Sequence, residues 1–268
     1  MLRISGTGES HVGLVRADNE DSGFIGPTCM LVADGVGGGA AGEVASATTA
    51  YTVSASVLAR PGDDPATVLR EAVELAQAQV HAGVRADPAR EGMATTLTAV
   101  VTDGRTFALA HLGDSRGYVF RDGDLTRVTR DHTYVQELLD EGRLDELEVA
   151  HHPWRNVVLR TVNGAEDGAP DILALFLRPG DRILLASDGL TDLVDEAVIA
   201  ETLAHRSDDD AVSALVAAAL GRGGRDNVTC VLATVVEGPA LSADGFLLGA
   251  VRDPANIVDI TAVRSASA

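Results

Sequence analysis

LVADGVGGG, Leu31 to Gly39, joins a short apolar run to an aspartate and then to a stretch that is mostly glycine. The run starts two residues earlier, and CMLVA (Cys29–Ala33) predicts a short buried strand that stops where the charge begins. Beyond the glycines, Ala40 to about Leu58 is Ala-rich with few breakers and predicts a helix. A carboxylate at the tip of a buried strand, backed by a glycine loop, has three readings. It is a phosphate cradle, a plain tight turn or a metal site, and the rest of the chain has to choose.

Asp64 before Pro65 reads as a helix cap and first-turn proline. The helix they open carries Val68, Leu69, Ala72, Val73, Ala76 and Val80 at helical spacing, a stripe for core packing. Thr95–Thr102 and Arg105–Leu112 flank Asp103–Gly104 as a hairpin, and Gly117–Val128 turns at Asp122–Gly123 as another. Residues 131–168 are polar and charged, contain HHPW (His151–Trp154) and predict only one helical segment, near Thr133–Glu141. An insertion of that length suggests a functional flap. Arg182–Ser187 predicts a strand, 195–204 and 208–220 helices, and Asn227–Val236 a final strand. After Gly238 the pattern weakens, so 238–268 reads as a C-terminal tail, either packed on a single domain of residues 1–237 or hanging free of it. Strands and helices are segregated, which predicts an α+β layered sandwich with mainly antiparallel sheets.

The bulk numbers bound the function. The chain has 268 residues, 46% of them hydrophobic, enough for a substantial core. Aromatics are only 3%, so that core is built mainly from Ala, Val and Leu. Formal charge is −19, and all 21 cations are arginine because the chain contains no lysine. So acidic a surface is a poor match for nucleic acid, whose binding depends on Lys and Arg neutralising phosphates. No apolar run approaches the roughly 20 residues of a membrane span, and the N-terminus lacks the apolar segment of a secretory signal. Cys29 and Cys230 sit inside apolar runs, as expected for reduced core thiols in a cytoplasmic protein.

Aspartate recurs at the ends of apolar runs. Asp34 follows CMLVA, Asp114 follows FALAHLG, Asp188 follows RILLAS, and Asp226 stands just before NVTCVLATVV. Each alone reads as a turn residue. Together they suggest strands of one core whose ends meet at the rim of a sheet. Four carboxylates there repel unless protonated or bridged by cations, and hard divalent ions prefer such oxygen ligands. Upstream, VRADNEDS (Val15–Ser22) adds Glu20, which extends the acidic set if it points inward, and Arg16, a forked cation suited to phosphate. A solvated charged loop is the competing reading of that stretch.

A phosphate cradle suits the glycine loop poorly. A P-loop requires a lysine, and none is present. GVGGGAAG (Gly35–Gly42) fits a dinucleotide fingerprint only by force, with Asp34 set against the cofactor phosphates and hairpins where βαβ units belong. Nucleophilic sites fare no better. No G-x-S-x-G nucleophile elbow occurs, and neither cysteine has an electropositive setting.

In order along residues 6–236, VRADNEDS, LVADGVGGGAAGEVAS, GMATTLTAV, HLGDSRGYVFRDGDL, DHTYVQELLDEG, HHPWRNVVLRTV, GDRILLASDGLTDLV and GGRDNVTCVLA resemble the bacterial metal-dependent serine/threonine protein phosphatases (PPM family, type 2C). The resemblance implies a four-layer α-β-β-α sandwich with two mainly antiparallel sheets and two core Mn²⁺ or Mg²⁺ ions at one end, joined in many members by a third. It makes Asp34 the bridging carboxylate and the Gly35 carbonyl a ligand of the first metal. Asp188 and Asp226 become ligands of the second, and Glu20 a first-site carboxylate supported by Asp21. Asp114 falls at the third site with Asp188, and Asp192 matches either a supporting acid or a further acid of that third site. Arg16 matches the arginine for substrate phosphate, and residues 131–163 match the flap. The later glycines of the loop keep side chains away from the metal waters.

The implied reaction is attack of a metal-activated water on phosphoserine or phosphothreonine. Asp34, Asp188, Asp226 and Arg16 carry it. Val36 stands where some members place a histidine as general acid, which leaves a metal-bound water or His132 to protonate the leaving oxygen. Family logic adds phosphoprotein substrates and a partner serine/threonine kinase, and the expected state is a monomer with no membrane attachment. The all-arginine, Ala-rich composition fits a GC-rich bacterial source. The alternative is a catalytically silent module of the same fold with a binding or regulatory role, against which the intact carboxylate set counts.

Overall fold

The computed structural model describes residues 1–36, 41–149, 151–165, 168–238 and 245–263. The chain opens with β1 (Leu2–His11), β2 (Ser22–Ile25), β3 (Cys29–Ala33) and the two-residue β4 (Gly35–Val36), followed by α1 (Gly42–Leu58) and α2 (Pro65–Ala86). Five strands come next: β5 (Ala94–Thr95), β6 (Leu97–Thr102), β7 (Phe107–Leu112), β8 (Arg116–Arg121) and β9 (Asp124–Arg127). Short helices α3 (Tyr134–Asp140) and α4 (Glu146–Val149) lead to β10 (Asp171–Leu175) and β11 (Arg182–Ala186). The chain then forms α5 (Asp188–Thr191), α6 (Glu196–His205), α7 (Asp208–Gly221), β12 (Val228–Glu237) and β13 (Phe246–Gly249).

Two large sheets result, ordered β1-β12-β11-β8-β9 and β10-β7-β6-β3-β2-β13, with β4 and β5 as a small separate pair. Every pairing is antiparallel. The sheets stack face to face, α1 and α2 cover one outer face, and α5 to α7 cover the other. This is the expected α-β-β-α sandwich.

The stacking explains why the strands read as continuous apolar runs. Along β3, Cys29 and Leu31 face the α1/α2 layer while Met30 and Val32 face the opposite sheet. Along β11, Leu184 and Ala186 face the α5–α7 layer while Ile183 and Leu185 point between the sheets. Alternate side chains leave opposite faces of a strand, and here both faces are covered.

The local signals hold in detail. Asp64 Oδ2 accepts from the Thr67 amide at 2.9 Å, and the α2 stripe Val68, Leu69, Ala72, Val73, Ala76 and Val80 is buried. At the β8–β9 turn, Asp122 and Gly123 both take positive φ, 54° and 95°, as a two-residue hairpin turn requires.

Three features add to the sequence reading. The polar insertion carries a second short helix, α4, beside the expected α3. Gly-rich and polar β1 and the short β10 are edge strands that the apolar pattern did not reveal. The stretch read as a tail returns to the sandwich, where β13 pairs with β2 from Phe246↔Ile25 to Gly249↔Ser22. Both cysteines are buried and free, and burial pushes the Cys29 thiol up to about 12.

Candidate metal centre

The site is built at one rim of the sandwich, where β3, β7 and β11 run out and β12 begins. Asp34 leaves β3 with its backbone clamped. Its amide donates to Thr96 Oγ1 at 2.9 Å, and its carbonyl accepts from the Thr96 amide and Thr95 Oγ1, both at 2.8 Å. Gly35 then pairs with Thr95 in the β4–β5 ladder. Thr96 is itself held by Ser115 Oγ at 2.6 Å, one residue beyond Asp114, so the Asp34 and Asp114 loops share a support.

Asp188 and Asp226 are brought together by close backbone contact. A Cβ on Gly189 would stand 1.9 Å from the Asn227 carbonyl oxygen, so only glycine permits the approach. Asn227 also stitches the N-terminal loop to the site. Its Oδ1 accepts from the Glu20 amide at 2.8 Å, and its Nδ2 donates to the Val12 and Asp18 carbonyls, both at 2.9 Å. Asp21 is fully buried, and its Oδ2 accepts from Ser187 Oγ at 2.7 Å. Its Oδ1 is buried with no hydrogen-bond partner among the described residues.

The electrostatics show that these acids share one field. Burial holds Asp34 well above the ordinary carboxylate range, and Asp21, Asp188, Asp114 and Asp226 push it further. Asp188 is likewise held well above that range by burial, with Asp114, Asp192 and Asp226 adding to it. Asp114 is pushed up to about 7 by burial and then by Asp131 and Asp192. Asp21 is pushed up to about 6, chiefly by burial. Burial and neighbouring Glu43 raise Glu20, and burial raises the more exposed Asp192.

This donor set fits a hard divalent cation: carboxylate and carbonyl oxygens, mutual repulsion in want of positive charge, and an orphaned buried oxygen on Asp21. Among the described residues, no three acids are drawn into a ready-made metal cage. They are neighbours in a common field. Residues 37–40, where the later loop glycines were read as clearing space for metal waters, lie outside the described residues.

Two expected residues stand differently from the simplest reading. Arg16 is half exposed at the mouth, where its Nη2 donates to Asp226 Oδ2 at 2.7 Å. The phosphate-binding candidate is therefore paired with one of the metal-ligand candidates. His132 does not suit a general acid. It is only 9% exposed, its Nδ1 accepts from the Gly113 amide at 3.1 Å, and its Nε2 lies 3.0 Å from Asp171 Oδ2 and 2.8 Å from Arg160. Both ring nitrogens are engaged, and burial lowers its pKa. His132 braces the strand end that carries Asp114.

Thr95, Thr96, Ser187, Asn227 and Glu43 were not singled out from the sequence. Thr95 and Thr96 lie in GMATTLTAV, and the only available signal was their place beside a buried strand. Ser187 and Asn227 adjoin Asp188 and Asp226, but adjacency does not say which backbone groups they hold.

The family model for protein phosphatase 2C matches residues 5–222. The serine/threonine protein phosphatase PstP of Mycobacterium tuberculosis is 43% identical over 239 residues, covering 89% of this chain and 46% of the relative. The chain thus spans about half the length of that relative. The serine/threonine phosphatase stp of Listeria welshimeri is 30% identical over 230 residues, covering 82% of this chain and 91% of the relative. A crystal structure of the PstP catalytic domain in complex with two manganese ions superposes with a TM-score of 0.82 at 41% identity, covering 88% of this chain and all of that one. With the acidic rim in place on the same sandwich, the chain belongs to the protein phosphatase 2C family.

Proposed function

We propose that this protein is a metal-dependent serine/threonine protein phosphatase that hydrolyses phosphoserine and phosphothreonine in protein substrates. The observation that carries the reading is the rim itself, where burial and the surrounding aspartates hold Asp34 and Asp188 well above the ordinary carboxylate range while Arg16 stands beside Asp226. Asp34, the Gly35 carbonyl and Glu20 would hold one Mn²⁺ or Mg²⁺ ion, Asp34, Asp188 and Asp226 a second, and Asp114 with Asp188 a third, with Asp21 and Asp192 in support. Bound ions supply Lewis acidity and lower the pKa of a ligated water towards about 7.

The chain's own residues supply the remaining work. Arg16 exchanges one anion, the Asp226 carboxylate, for another, the substrate phosphate, and neutralises charge as it shifts to the leaving oxygen. The Thr95–Thr96 clamp fixes Asp34 on a rigid strand end, which limits reorganisation during the reaction. His132 keeps the Asp114 loop in place and does not hand a proton to the leaving group.

The phosphatase domain spans residues 1–237, with 131–163 as the flap beside the site, and β13 of the following segment completes the edge of its sheet. The substrates are phosphorylated proteins, a serine/threonine kinase is the opposing partner, and the protein acts as a cytoplasmic monomer. No helix among the described residues is long and apolar enough to cross a membrane. A silent regulatory module would have no need of the full acidic set. The test is hydrolysis of p-nitrophenyl phosphate and a phosphothreonine peptide with and without Mn²⁺. Turnover should require the ion and vanish in Asp34→Asn. Equal rates for the two proteins in Mn²⁺ would end the enzyme reading.

A further inference from the structure

We propose that residues 246–260 form a strap that positions Glu20 and Asp21, so that divalent-ion affinity depends on a segment that contributes no ligand. The proposal rests on the metal-centre reading above. The strap lies beyond residues 5–222, the part matched by the family model.

β13 lies along β2 and reaches its end with Gly249 opposite Ser22, one residue from Asp21. There the chain turns tightly. Gly249 has φ of 73°, and a Cβ on it would stand 2.1 Å from the Asp21 carbonyl oxygen. Two amides of the following turn then reach into the site's backbone. The Ala250 amide donates to the Asp21 carbonyl at 2.8 Å, and the Val251 amide donates to Ser22 Oγ at 3.1 Å.

The second contact opens a directed relay. Ser46 Oγ donates to the Glu20 carbonyl, so in the 3.0 Å contact between the two hydroxyls Ser22 is the donor and Ser46 the acceptor. The Glu20 carbonyl also accepts from the Gly35 amide at 3.2 Å, which joins the relay to the carbonyl ligand candidate. The strap therefore holds the backbone of Glu20 and Asp21 from behind, while their side chains face the other carboxylates. Removing it would leave the Asp21 carbonyl and the fully buried Ser22 hydroxyl short of partners.

The far end of the strap is anchored on α1. Asn256 Nδ2 donates to the Ala250 carbonyl at 3.0 Å, closing the turn. Thr48 Oγ1 donates to the Asn256 carbonyl at 3.3 Å and accepts from the Val258 amide at 3.1 Å. Tyr51 donates to the Ile260 carbonyl at 2.7 Å. Ala250 and Val251 are buried in the core beside α1. These contacts fix where the two strap amides point.

The test uses full-length protein stripped of metal. Ala250→Pro removes the donor to Asp21 at the first position of a 3₁₀ turn, where the fixed φ of proline fits. Asn256→Ala loosens the turn without touching Asp21. Mn²⁺ titration calorimetry should show affinity lowered about ten-fold in Ala250→Pro, in line with losses of outer partners at metal sites, and lowered by less in Asn256→Ala. Turnover lost at low Mn²⁺ should return as Mn²⁺ is raised, with peptide KM at saturating Mn²⁺ unchanged. Wild-type Mn²⁺ affinity in a folded variant whose Tm in EDTA has fallen would overturn the proposal and make the strap a structural prop. If Ala250→Pro does not fold, Asn256→Ala decides on the same readouts. A wild-type chain that takes up no Mn²⁺ would remove the metal centre itself, which is a different failure.

Discussion

The strand β11 carries an aspartate at each end, and the two live in opposite company. Asp181 precedes the strand and is only 1% exposed. It accepts from Arg121 Nε at 2.7 Å and from the Arg178 amide at 2.7 Å. Burial pushes its pKa up, but Arg121 and Arg178 outweigh that and hold it below the ordinary value. Asp188 follows the same strand and faces Asp114, Asp192 and Asp226, so burial and repulsion act together and raise it. The charge of the neighbours distinguishes them: Arg121 and Arg178 neutralise Asp181 at one end of the strand, whereas the charged neighbours that act on Asp188 at the other end are aspartates.

Four experiments would sharpen or break that contrast. The largest effect belongs to Asp34→Asn, which should lower kcat by about 1,000-fold or more, on the scale of losing a group that stabilises the transition state. Its Tm in EDTA should not fall, because the substitution relieves repulsion; a clear drop would mean Asp34 supports the fold as Asp181 does. Arg16→Ala should raise the phosphopeptide KM about ten-fold, the cost of one charge-assisted contact, with a smaller effect on kcat. An unchanged KM would confine Arg16 to its pairing with Asp226.

Asp181→Asn should do the reverse of Asp34→Asn. Turnover per folded molecule should hold while Tm drops by about 5 °C, from loss of a buried ion-pair partner. A loss of turnover without a loss of Tm would break the contrast. The smallest effect is a pH trend for Asp114→Asn, followed as Tm in EDTA. Burial, Asp131 and Asp192 push folded Asp114 up to about 7, above the ordinary aspartate value of 3.8. Between those values the folded state binds more protons, so Asp114 costs wild-type stability progressively as pH rises through the window. The variant should therefore gain on wild type by a few degrees from about pH 4 to about pH 7. Saturating Mn²⁺ should erase the gain, and a gap independent of pH would show that Asp114 is not held in the shared field.

Much of this was legible along the chain. Asp34, Asp114, Asp188 and Asp226 could be picked out because each interrupts an apolar run, and runs buried on both faces read without alternation. The cap at Asp64 and the turn at Asp122–Gly123 are local, so their residue types sufficed. β1 was not legible, because its polar, Gly-rich residues lie on an edge strand and only pairing with β12 defines it. β13 was hidden for a similar reason: four residues with no period of their own became a strand on the exposed edge of β2.

The sequence by itself determined the layered sandwich, the aspartates and the arginine that attend its rim, and the family resemblance. The sandwich and the aspartates follow from composition, apolar patterning and local turn chemistry, which neighbouring residues express together, and the resemblance rests on motifs that occur in order along the chain. Only the tertiary structure decided that Arg16 pairs with Asp226, that His132 is locked among Gly113, Asp171 and Arg160, and that Ala250 reaches the Asp21 carbonyl. Each of those contacts joins residues far apart in the chain through the direction of a single hydrogen bond. No spacing rule along one strand encodes such a direction; it is fixed when the sheets stack and their loops meet at the rim.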